Sequence, residues 1–235
     1  MRVLLAHNRY AKESGEEHAF LEISRLLESN GNQVEHFLKS SDSIRRLADK
    51  ALAFLTGIHS FSARREMAAI LDRQAFDLVH VQNLYPFLSP AILEAVKQRS
   101  LPLVMRCPNY RLFCPNGLHY HKNAICERCL GAGREIWCVL RNCEKCWPKS
   151  VGYALRNAIA RIRKTIVRNV DVFIVLSEFQ KKRFMEGGVS EKKIEILPNV
   201  VPLTNGCAPE PPGKLATFCG RVTAEKGILE FLEAA

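Results

Sequence analysis

The chain has 235 residues and a formal net charge of +10, with 34 Lys and Arg against 24 Asp and Glu. Its 47% hydrophobic and 25% charged residues are typical of globular proteins and exclude an intrinsically disordered chain. No apolar run approaches the roughly 18 residues of a membrane span, and the apolar start is too short for a signal peptide, so we expect a cytoplasmic protein.

The first part of the chain predicts a βαβ unit. Residues 2–6 form a short apolar run, and apolar residues then recur at helical spacing over 19–27, until Asn30-Gly31 marks a helix end. Residues 33–38 alternate between polar and apolar side chains, as a strand does. Strand, helix and strand in this order indicate a parallel sheet.

The same alternation continues to residue 201. Further strands are predicted at 76–83, 101–107, 170–177 and 193–201, and further helices at 44–72 with a break at Gly57, at 89–100, at 150–168 and from Glu178 to about Glu186. We therefore predict an α/β fold for residues 1–201, a Rossmann-like doubly wound parallel sheet, with a Cys-rich insertion at about 107–148.

The predicted helix at 150–168 is basic and carries an apolar stripe. The stripe is flanked by cations: the apolar residues are Leu155, Ile159, Ile162 and Ile166, and the cations are Arg156, Arg161, Arg163, Lys164 and Arg168. We favour a helix that packs its apolar face on the sheet and keeps its charges in solvent. Peripheral binding to an anionic membrane is the alternative.

Residues 202–213 contain four prolines and two glycines, a composition that predicts a linker between domains. Residues 214–220 then read as a strand, 221–227 as a loop and 228–235 as the start of a helix. A single βα unit cannot bury its own apolar face. We therefore expect 214–235 to be the truncated start of a second Rossmann-like domain.

The loop from Gly220 to Gly227 is a candidate phosphate site. It lies between the predicted strand and helix, where backbone N–H groups and the helix dipole attract anions. Arg221 and Lys226 add two cations at the same place, which suits a diphosphate. A tight turn with solvated charges is the alternative.

Several segments, in order along the chain, resemble glycosyltransferase family 4. Gly220–Gly227 resembles the G-R-x-x-x-E-K-G segment that opens the donor domain of that family. The other matching segments are HNRY with Gly15 in the loop that follows, FDLVHVQNLYPFLSP, NYRLFCPNGL, CERCLG, SEFQKKRF and KIEILPNVV. The resemblance implies a GT-B fold, in which two Rossmann-like domains face a cleft, with acceptor on the N-terminal side and nucleotide sugar on the C-terminal side. It also implies a retaining enzyme that needs no metal for catalysis.

The resemblance implies donor-binding roles for four residues. Arg221 and Lys226 match the positions that hold the donor diphosphate. Gly15 matches the loop glycine that lets the backbone approach the donor phosphates. Glu178 lies where the chain enters a helix that faces the cleft, and an acid that stabilises the first turn of this helix is the alternative role.

Two departures from the family put catalysis in doubt. The family has a His in the H-N-Y-R segment after the third strand, and Pro108 stands in its place here, so the catalytic residue is unknown. Proline offers no hydrogen-bond donor. The acidic motif that grips the donor would lie beyond Ala235, and we expect no turnover by this chain alone.

Seven of the nine cysteines lie between Cys107 and Cys146. In a reducing compartment a metal site explains such a cluster better than disulfides, and the two Cys-x-x-Cys pairs, at 126–129 and 143–146, can bend around a structural Zn²⁺. A similar insertion in family members carries cysteines that match, and so favour, the quartet Cys114, Cys126, Cys129 and Cys143, although Cys146 could replace Cys114. Cys107 and Cys138 are expected to be plain buried thiols, and free cysteines throughout are the alternative.

The expected function is transfer of a sugar from a nucleotide-sugar donor to a hydroxyl of a glycan or lipid-linked envelope precursor. Such an acceptor would bring the protein into peripheral contact with the inner membrane face. Two alternatives stay open: a non-catalytic acceptor-binding or scaffold domain, and a zinc-stabilised nucleic-acid-binding module. The basic charge suits any anionic partner, but no RNA-binding signature accompanies it, so nucleic acid is the least expected of these partners.

Overall fold

The computed structural model of the chain describes residues 1–9, 15–40, 54–131, 133–199, 213 and 216–234. Its strands are β1 (Arg2–Arg9), β2 (Gln33–Ser40), β3 (Leu78–Asn83), β4 (Leu103–Arg106), β5 (Tyr120–His121), β6 (Ala124–Ile125), β7 (Val172–Val175) and β8 (Ile194–Ile196). Six of them form one parallel sheet in the order β2-β1-β3-β4-β7-β8, and β5 pairs with β6 in an antiparallel hairpin. The predicted parallel α/β sheet is confirmed.

Helices alternate with the strands of this sheet. They are α1 (Gly15–Ser29), α2 (Phe61–Arg73), α3 (Ala91–Lys97), α4 (Ile136–Leu140), α5 (Trp147–Ile162), α6 (Thr165–Asn169), α7 (Glu178–Glu186) and α8 (Ile228–Ala234), with 3₁₀ turns at Glu191–Lys193 and Ala224–Lys226 and a helical turn at 54–58. Among the described helices, none has the length and apolar character needed to cross a bilayer.

Both faces of the sheet are covered by helices. Alternate residues of β1 belong to different apolar clusters. Val3 and Leu5 pack with Phe20 of α1 on one face of the sheet. Leu4 and Ala6 point the other way, into a larger cluster that includes residues of α2, α3 and α6. The sheet is therefore doubly wound, as predicted, and its strands are apolar on both faces.

Local sequence signals set the ends of two helices. α2 begins after Ser60, whose hydroxyl accepts a hydrogen bond from the Ala63 N–H at 3.3 Å. α7 begins after Ser177, whose hydroxyl accepts from the Gln180 N–H at 3.2 Å, and it ends at Gly187. Each side-chain oxygen satisfies one of the unpaired N–H groups of a first helical turn. The predicted bounds of α7 are confirmed.

Two predicted helices are divided in the structure. Of the predicted helix at 44–72, residues 44–53 lie outside the described part of the chain, and the rest forms the turn at 54–58 and then α2. The predicted helix at 150–168 is two helices, α5 and α6. Lys164 between them adopts a left-handed conformation with φ 51° and ψ 25°, which ends the helical hydrogen bonding.

Of the four apolar residues predicted to pack on the sheet, Ile166 in α6 is buried and Ile159 is half-buried, but the prediction is wrong for Leu155 and Ile162 of α5. Leu155 is 44% exposed and Ile162 is 69% exposed, whereas Gly152 and Ala154 are buried. A Cβ on Gly152 would lie 3.0 Å from the Phe54 ring, so the helix approaches its neighbours closely along this small-residue face. Tertiary packing has selected the face with small side chains, and the larger apolar side chains point outward.

The strand predicted at 214–220 is not found in the described residues 216–219, which are irregular. A strand forms only where a neighbouring strand can pair with its backbone, and none of the described strands lies beside this segment. Residues 224–226 form a 3₁₀ turn and α8 follows Gly227. The domain bounds at 201 and 213 stay predictions, because residues 200–212 lie outside the described part.

Candidate functional site

The carboxyl edge of the sheet is the candidate site, because the strand order changes direction there. β1 has β2 on one side and β3 on the other, so the connections that leave β1 and β3 diverge. Open α/β sheets bind ligands at the carboxyl ends of their strands at such a switch point. The buried polar residues at the ends of these strands and of β4 are His7, Asn8, Gln82, Asn83 and Arg106.

Two asparagines hold the backbone at this edge. The Asn83 side-chain amide donates to the backbone carbonyl of Asn8 at 2.8 Å, which joins the ends of β3 and β1. The Asn8 side-chain carbonyl accepts from the Phe87 N–H at 3.0 Å, and that of Asn83 accepts from the Tyr85 N–H at 3.2 Å. The loop after β3 is thus fixed by side chains of the strands themselves, so the edge is preorganised.

Glu16, in the first turn of α1, joins three elements of the edge. The Asn109 side-chain amide, in the loop after β4, donates to Glu16 Oε1 at 2.8 Å. The Gln82 side-chain amide, at the end of β3, donates to the backbone carbonyl of Glu16. Glu16 Oε2 is buried and has no hydrogen-bond partner among the described residues. The Glu16 carboxylate can therefore accept a further hydrogen bond, from a ligand in the site.

Arg106, the last residue of β4, places a buried cation beside this carboxylate. It is 2% exposed, its Nη2 donates to the side-chain carbonyl of Asn199, and its Nη1 is buried with no hydrogen-bond partner in the described part of the chain. Burial lowers the pKa of Arg106, and the nearby Glu16 carboxylate opposes that shift. Arginine remains charged in proteins, so the site holds a permanent cation with one free donor.

The histidines of the sheet edge are neutral. Burial, with a further contribution from Arg9, lowers the pKa of His7 to about 4, and its ring stacks on Phe20 at 4.9 Å. Burial, with a contribution from Arg106, also lowers the pKa of His80 to about 4. At neutral pH neither ring is cationic. Arg106 therefore supplies the positive charge at this point of the site.

Pro108 lines a small cleft at the same edge. The cleft lies between the loops after β3 and β4, has a volume of about 30 Å³, and is also lined by Asn83, Tyr85, Arg106 and Asn109. A volume of this size holds one or two water molecules. Pro108 has no donor to offer to a ligand here, so the cleft offers the polar side chains of Gln82, Asn83, Arg106 and Asn109 instead.

The buried face of α5 packs against the loops of this edge. The Arg156 guanidinium lies over the Tyr85 ring, with its central carbon 3.7 Å from the ring centre, and the Asn157 side-chain amide donates to the backbone carbonyl of Arg111 at 2.7 Å. Arg156 is only 6% exposed. The prediction that this residue belongs to a solvated charged face is therefore wrong, because a cation can be buried where an aromatic ring receives it.

The four predicted donor-binding residues lie in two parts of the structure. Gly15 and Glu178 are the exposed first residues of α1 and α7, and both helices begin at the carboxyl edge of the sheet. A Cβ on Gly15 would meet no atom within 4 Å. Arg221 pairs with Glu225 at 3.4 Å within its own segment, and Lys226 is exposed in the same segment. Their donor-binding roles stay predictions.

The cysteine-rich segment lies between β4 and α5, and its thiols form two contacts. Cys114 lies beside Cys129, and Cys138 lies beside Cys143. The Cys114 thiol donates a hydrogen bond to the side-chain carbonyl of Asn116 at 2.9 Å. The contact with Cys129 lowers the pKa of Cys114, and the same contact and burial raise that of Cys129. The described cysteines are free thiols, and Cys107 and Cys138 are buried, as predicted.

The predicted zinc quartet of Cys114, Cys126, Cys129 and Cys143 is not assembled as a metal site. Within the described ranges, no group of three or more His, Cys, Asp or Glu side chains has an arrangement that could hold a metal ion. The fit of the present geometry to Zn²⁺ is therefore poor, because a structural zinc site needs four converging ligands. The zinc site stays a prediction.

The sequence model of glycosyltransferase family 4 matches residues 14–205, which is most of the chain. The chain belongs to glycosyltransferase family 4. The matched range contains α1 and the strands that follow it, β2 to β8, and it includes Glu16, Arg106 and Asn109. A search of curated protein sequences finds no match.

Three solved structures are similar to this family 4 chain. The apo form of the lipopolysaccharide outer core galactosyltransferase WaaB is 13% identical, with 92% of this chain and 50% of that one covered and a TM-score of 0.49. UDP-GlcNAc 2-epimerase from Neisseria meningitidis bound to UDP-GlcNAc is 11% identical, with 83% and 45% covered and a TM-score of 0.46. HepE from Anabaena in complex with UDP is 13% identical, with 85% and 44% covered and a TM-score of 0.41. The chain spans about half the length of these proteins.

The sequence did not single out Glu16 or Arg106 as site residues. The signals were there, since Arg106 ends a predicted strand on its carboxyl side and Glu16 follows Gly15, a residue that the family resemblance had already marked. The sequence could not show that these two residues lie near each other. Residues 90 positions apart come together only because β4 lies two strands from β1 in the sheet.

Proposed function

We propose that this chain is the acceptor-side domain of a glycosyltransferase that moves a sugar from a nucleotide-sugar donor to a hydroxyl of a glycan or lipid-linked envelope precursor. Membership of family 4 over residues 14–205 supports the reaction class. The polar carboxyl edge supports a hydroxyl-rich ligand, because it offers both a carboxylate acceptor and a guanidinium donor.

The observation that carries the proposal is the pair of unsatisfied atoms at the edge. Glu16 Oε2 and Arg106 Nη1 are both buried without a hydrogen-bond partner among the described residues. Leaving such a group unpaired costs about 1–3 kcal/mol, and more for a charged group. Proteins retain such costs where water or a ligand supplies the missing bond. We therefore place the acceptor sugar against these two atoms.

Each residue then has a defined task. Glu16 accepts a hydrogen bond from an acceptor hydroxyl, and Asn109, which donates to its other oxygen at 2.8 Å, holds the carboxylate in orientation. Arg106 donates from Nη1 and gives the site a permanent positive charge, which favours the negative charge that develops as a sugar leaves its diphosphate. Arg221 and Lys226 would hold that diphosphate, and Gly15 and Glu178 would approach the donor from α1 and α7.

Ligand binding by the 235-residue chain tests this site directly. We would record saturation-transfer NMR spectra with a panel of methyl glycosides, for the wild type, Glu16→Gln and the control Glu22→Gln. Glu22 lies on the same helix but pairs with Arg25 at the surface. We expect Glu16→Gln to weaken binding about tenfold or more, the value of a hydrogen bond to a charged group, and Glu22→Gln to bind as the wild type. Binding that is equal in both variants would remove Glu16 from the site.

A non-catalytic acceptor-binding domain is the second candidate, and Pro108 favours it. Pro108 lines the edge at the position where the family resemblance implies a His, and it brings no proton donor or acceptor. The two candidates differ in turnover. Protein expressed from the complete gene that binds glycosides through Glu16 but transfers no sugar from any nucleotide donor would be the binding domain.

A further inference from the structure

The outer face of α5 is a stripe of exposed apolar side chains. Trp147, Val151, Leu155 and Ile162 are 55%, 45%, 44% and 69% exposed. With 3.6 residues per turn these positions fall within an arc of about 80° and extend over about 22 Å of helix. They form a continuous ridge, which we call the α5 stripe.

The arrangement is the inverse of an ordinary surface helix. The buried residues of α5 are small or polar, namely Ser150, Gly152, Ala154, Arg156 and Asn157. A surface helix normally buries its large apolar residues and exposes its polar ones. An exposed apolar ridge of this kind marks a site of protein or membrane interaction.

α4 extends the apolar surface, since it packs against α5. Ile136 and Leu140 of α4 are 54% and 60% exposed. Trp137 lies beside them with the Arg128 guanidinium 5.1 Å from its ring centre. The exposed apolar area therefore extends over two helices, and each helix contributes a tryptophan, Trp137 in α4 and Trp147 in α5.

Exposed cations lie near both ends of α5. Lys145, Lys149, Arg163, Lys164 and Arg168 are all exposed around the helix or just beyond its end. Residues 136–170 contain eight Lys and Arg against a single acidic residue, Glu144. The Glu144 side chain is only 13% exposed and pairs with Lys149. The α5 stripe therefore has cations at both ends of its helix, which we call its rim.

We propose that the α5 stripe docks on an anionic lipid bilayer. A helix that lies in the membrane interface places its apolar side chains below the headgroups and its cations among the lipid phosphates, and both features are present here. A second copy of the chain fits less well, because two rims of the same charge would repel. Nucleic acid would bind the cations, but its phosphate backbone would make no favourable contact with the exposed Leu and Ile side chains.

Docking through the α5 stripe would bring the candidate site close to the bilayer. The buried face of the same helix contacts Tyr85 and the backbone of Arg111, in the loops of the sheet edge. One helix diameter, about 10 Å, then separates those loops from the lipid surface. A lipid-linked acceptor could reach the edge at this distance. That consequence rests on the proposed function, whereas the docking itself does not.

Vesicle sedimentation of the 235-residue chain tests the proposal. The two vesicle types would be pure phosphatidylcholine, and phosphatidylcholine with about one third phosphatidylglycerol. The variant is Leu155→Glu with Ile162→Glu. The matched control is Leu21→Glu with Leu26→Glu, two leucines of α1 that are each 45% exposed, so that the charge change and the loss of exposed apolar surface are alike. Circular dichroism would establish that all three proteins are folded.

We expect the wild type and the α1 control to bind the anionic vesicles, and the α5 variant to bind at least tenfold more weakly. Binding to the neutral vesicles should be weaker, and 0.5 M salt should weaken anionic binding because the charges are then screened over about 4 Å. Failure of the wild type to bind anionic vesicles, or equal binding by the two double variants, would overturn the proposal. So would a wild-type dimer in sedimentation velocity that the α5 variant abolishes, since the stripe would then belong to a second copy.

Discussion

Arg156 is the residue whose replacement best tests how α5 supports the sheet edge. Its guanidinium lies 3.7 Å from the Tyr85 ring centre and 4.6 Å from that of Tyr153. The residue is 6% exposed, so these contacts are shielded from solvent. A desolvated cation–π contact contributes about 2 kcal/mol, and each buried methylene of the side chain adds about 0.8 kcal/mol.

From these contributions, Arg156→Ala should lower the free energy of unfolding by about 4 kcal/mol, because it removes the stacked cation and two buried methylenes. Arg156→Lys keeps a charge and most of the stem but loses the planar group, so we expect about 1–2 kcal/mol. In a chain of this size, each kcal/mol corresponds to about 2–4 °C in Tm. The alanine variant should therefore melt about 8 °C or more below the wild type.

Urea unfolding followed by circular dichroism would measure both losses, with Arg65→Ala on the exposed side of α2 as a control that should change stability by less than about 0.5 kcal/mol. A double-mutant cycle with Tyr85→Leu isolates the contact itself, and we expect a coupling energy of about 1–2 kcal/mol. If Arg156→Ala costs no more than the control, or if the two changes are additive, the stacking does not hold α5 in place.

Three further predictions concern the core, the titrating histidines and the cysteines. Phe173 is fully buried in the main cluster, so Phe173→Ala should cost about 3–5 kcal/mol in urea unfolding, and a loss under 1 kcal/mol would contradict that packing. His7 and His80 have pKa values lowered to about 4, whereas an unfolded His titrates near 6.5. Between these values the unfolded chain binds more protons than the folded one. The stabilising contribution of each neutral histidine is therefore complete above about pH 6.5 and is lost toward pH 4, with a loss of about 2 kcal/mol per histidine at pH 5. Denaturation curves at pH 7 and 5 would measure this loss, which His7→Gln should reduce. The zinc prediction requires one equivalent of zinc by mass spectrometry, lost in Cys129→Ser; a zinc-free protein would agree with the described geometry, which offers no group of three ligands.

The sheet and its helices could be predicted from the sequence because their signals are local. α7 has a serine cap at Ser177 and a glycine stop at Gly187, and both act within one helical turn. The face of α5 could not be predicted, because Arg156 is buried by Tyr85, a residue far away in sequence. A stripe of large apolar residues predicts the buried face of a helix only if no other face of that helix packs better against the rest of the protein. Here Gly152 allows a closer approach than Leu155 would.

The sequence predicted the parallel α/β sheet but not the residues of the candidate site at its edge. The switch point follows from the strand order, which only the structure shows, whereas the family resemblance marked Gly15, beside Glu16. The central contact joins Glu16 to Asn109, and their separation of 93 positions conceals it in the sequence. The resemblance also marked Pro108, a residue that lines the edge but whose side chain has no polar group.

Transfer of a labelled sugar tests the central claim most directly. Protein expressed from the complete gene would be incubated with radiolabelled nucleotide sugars and native envelope glycans, for the wild type, Glu16→Gln and Glu22→Gln. We predict a labelled product with at least one donor, reduced about tenfold or more in Glu16→Gln and unchanged in Glu22→Gln. A product formed equally by all three proteins would contradict the site at the sheet edge, and no product with any donor would contradict the transferase.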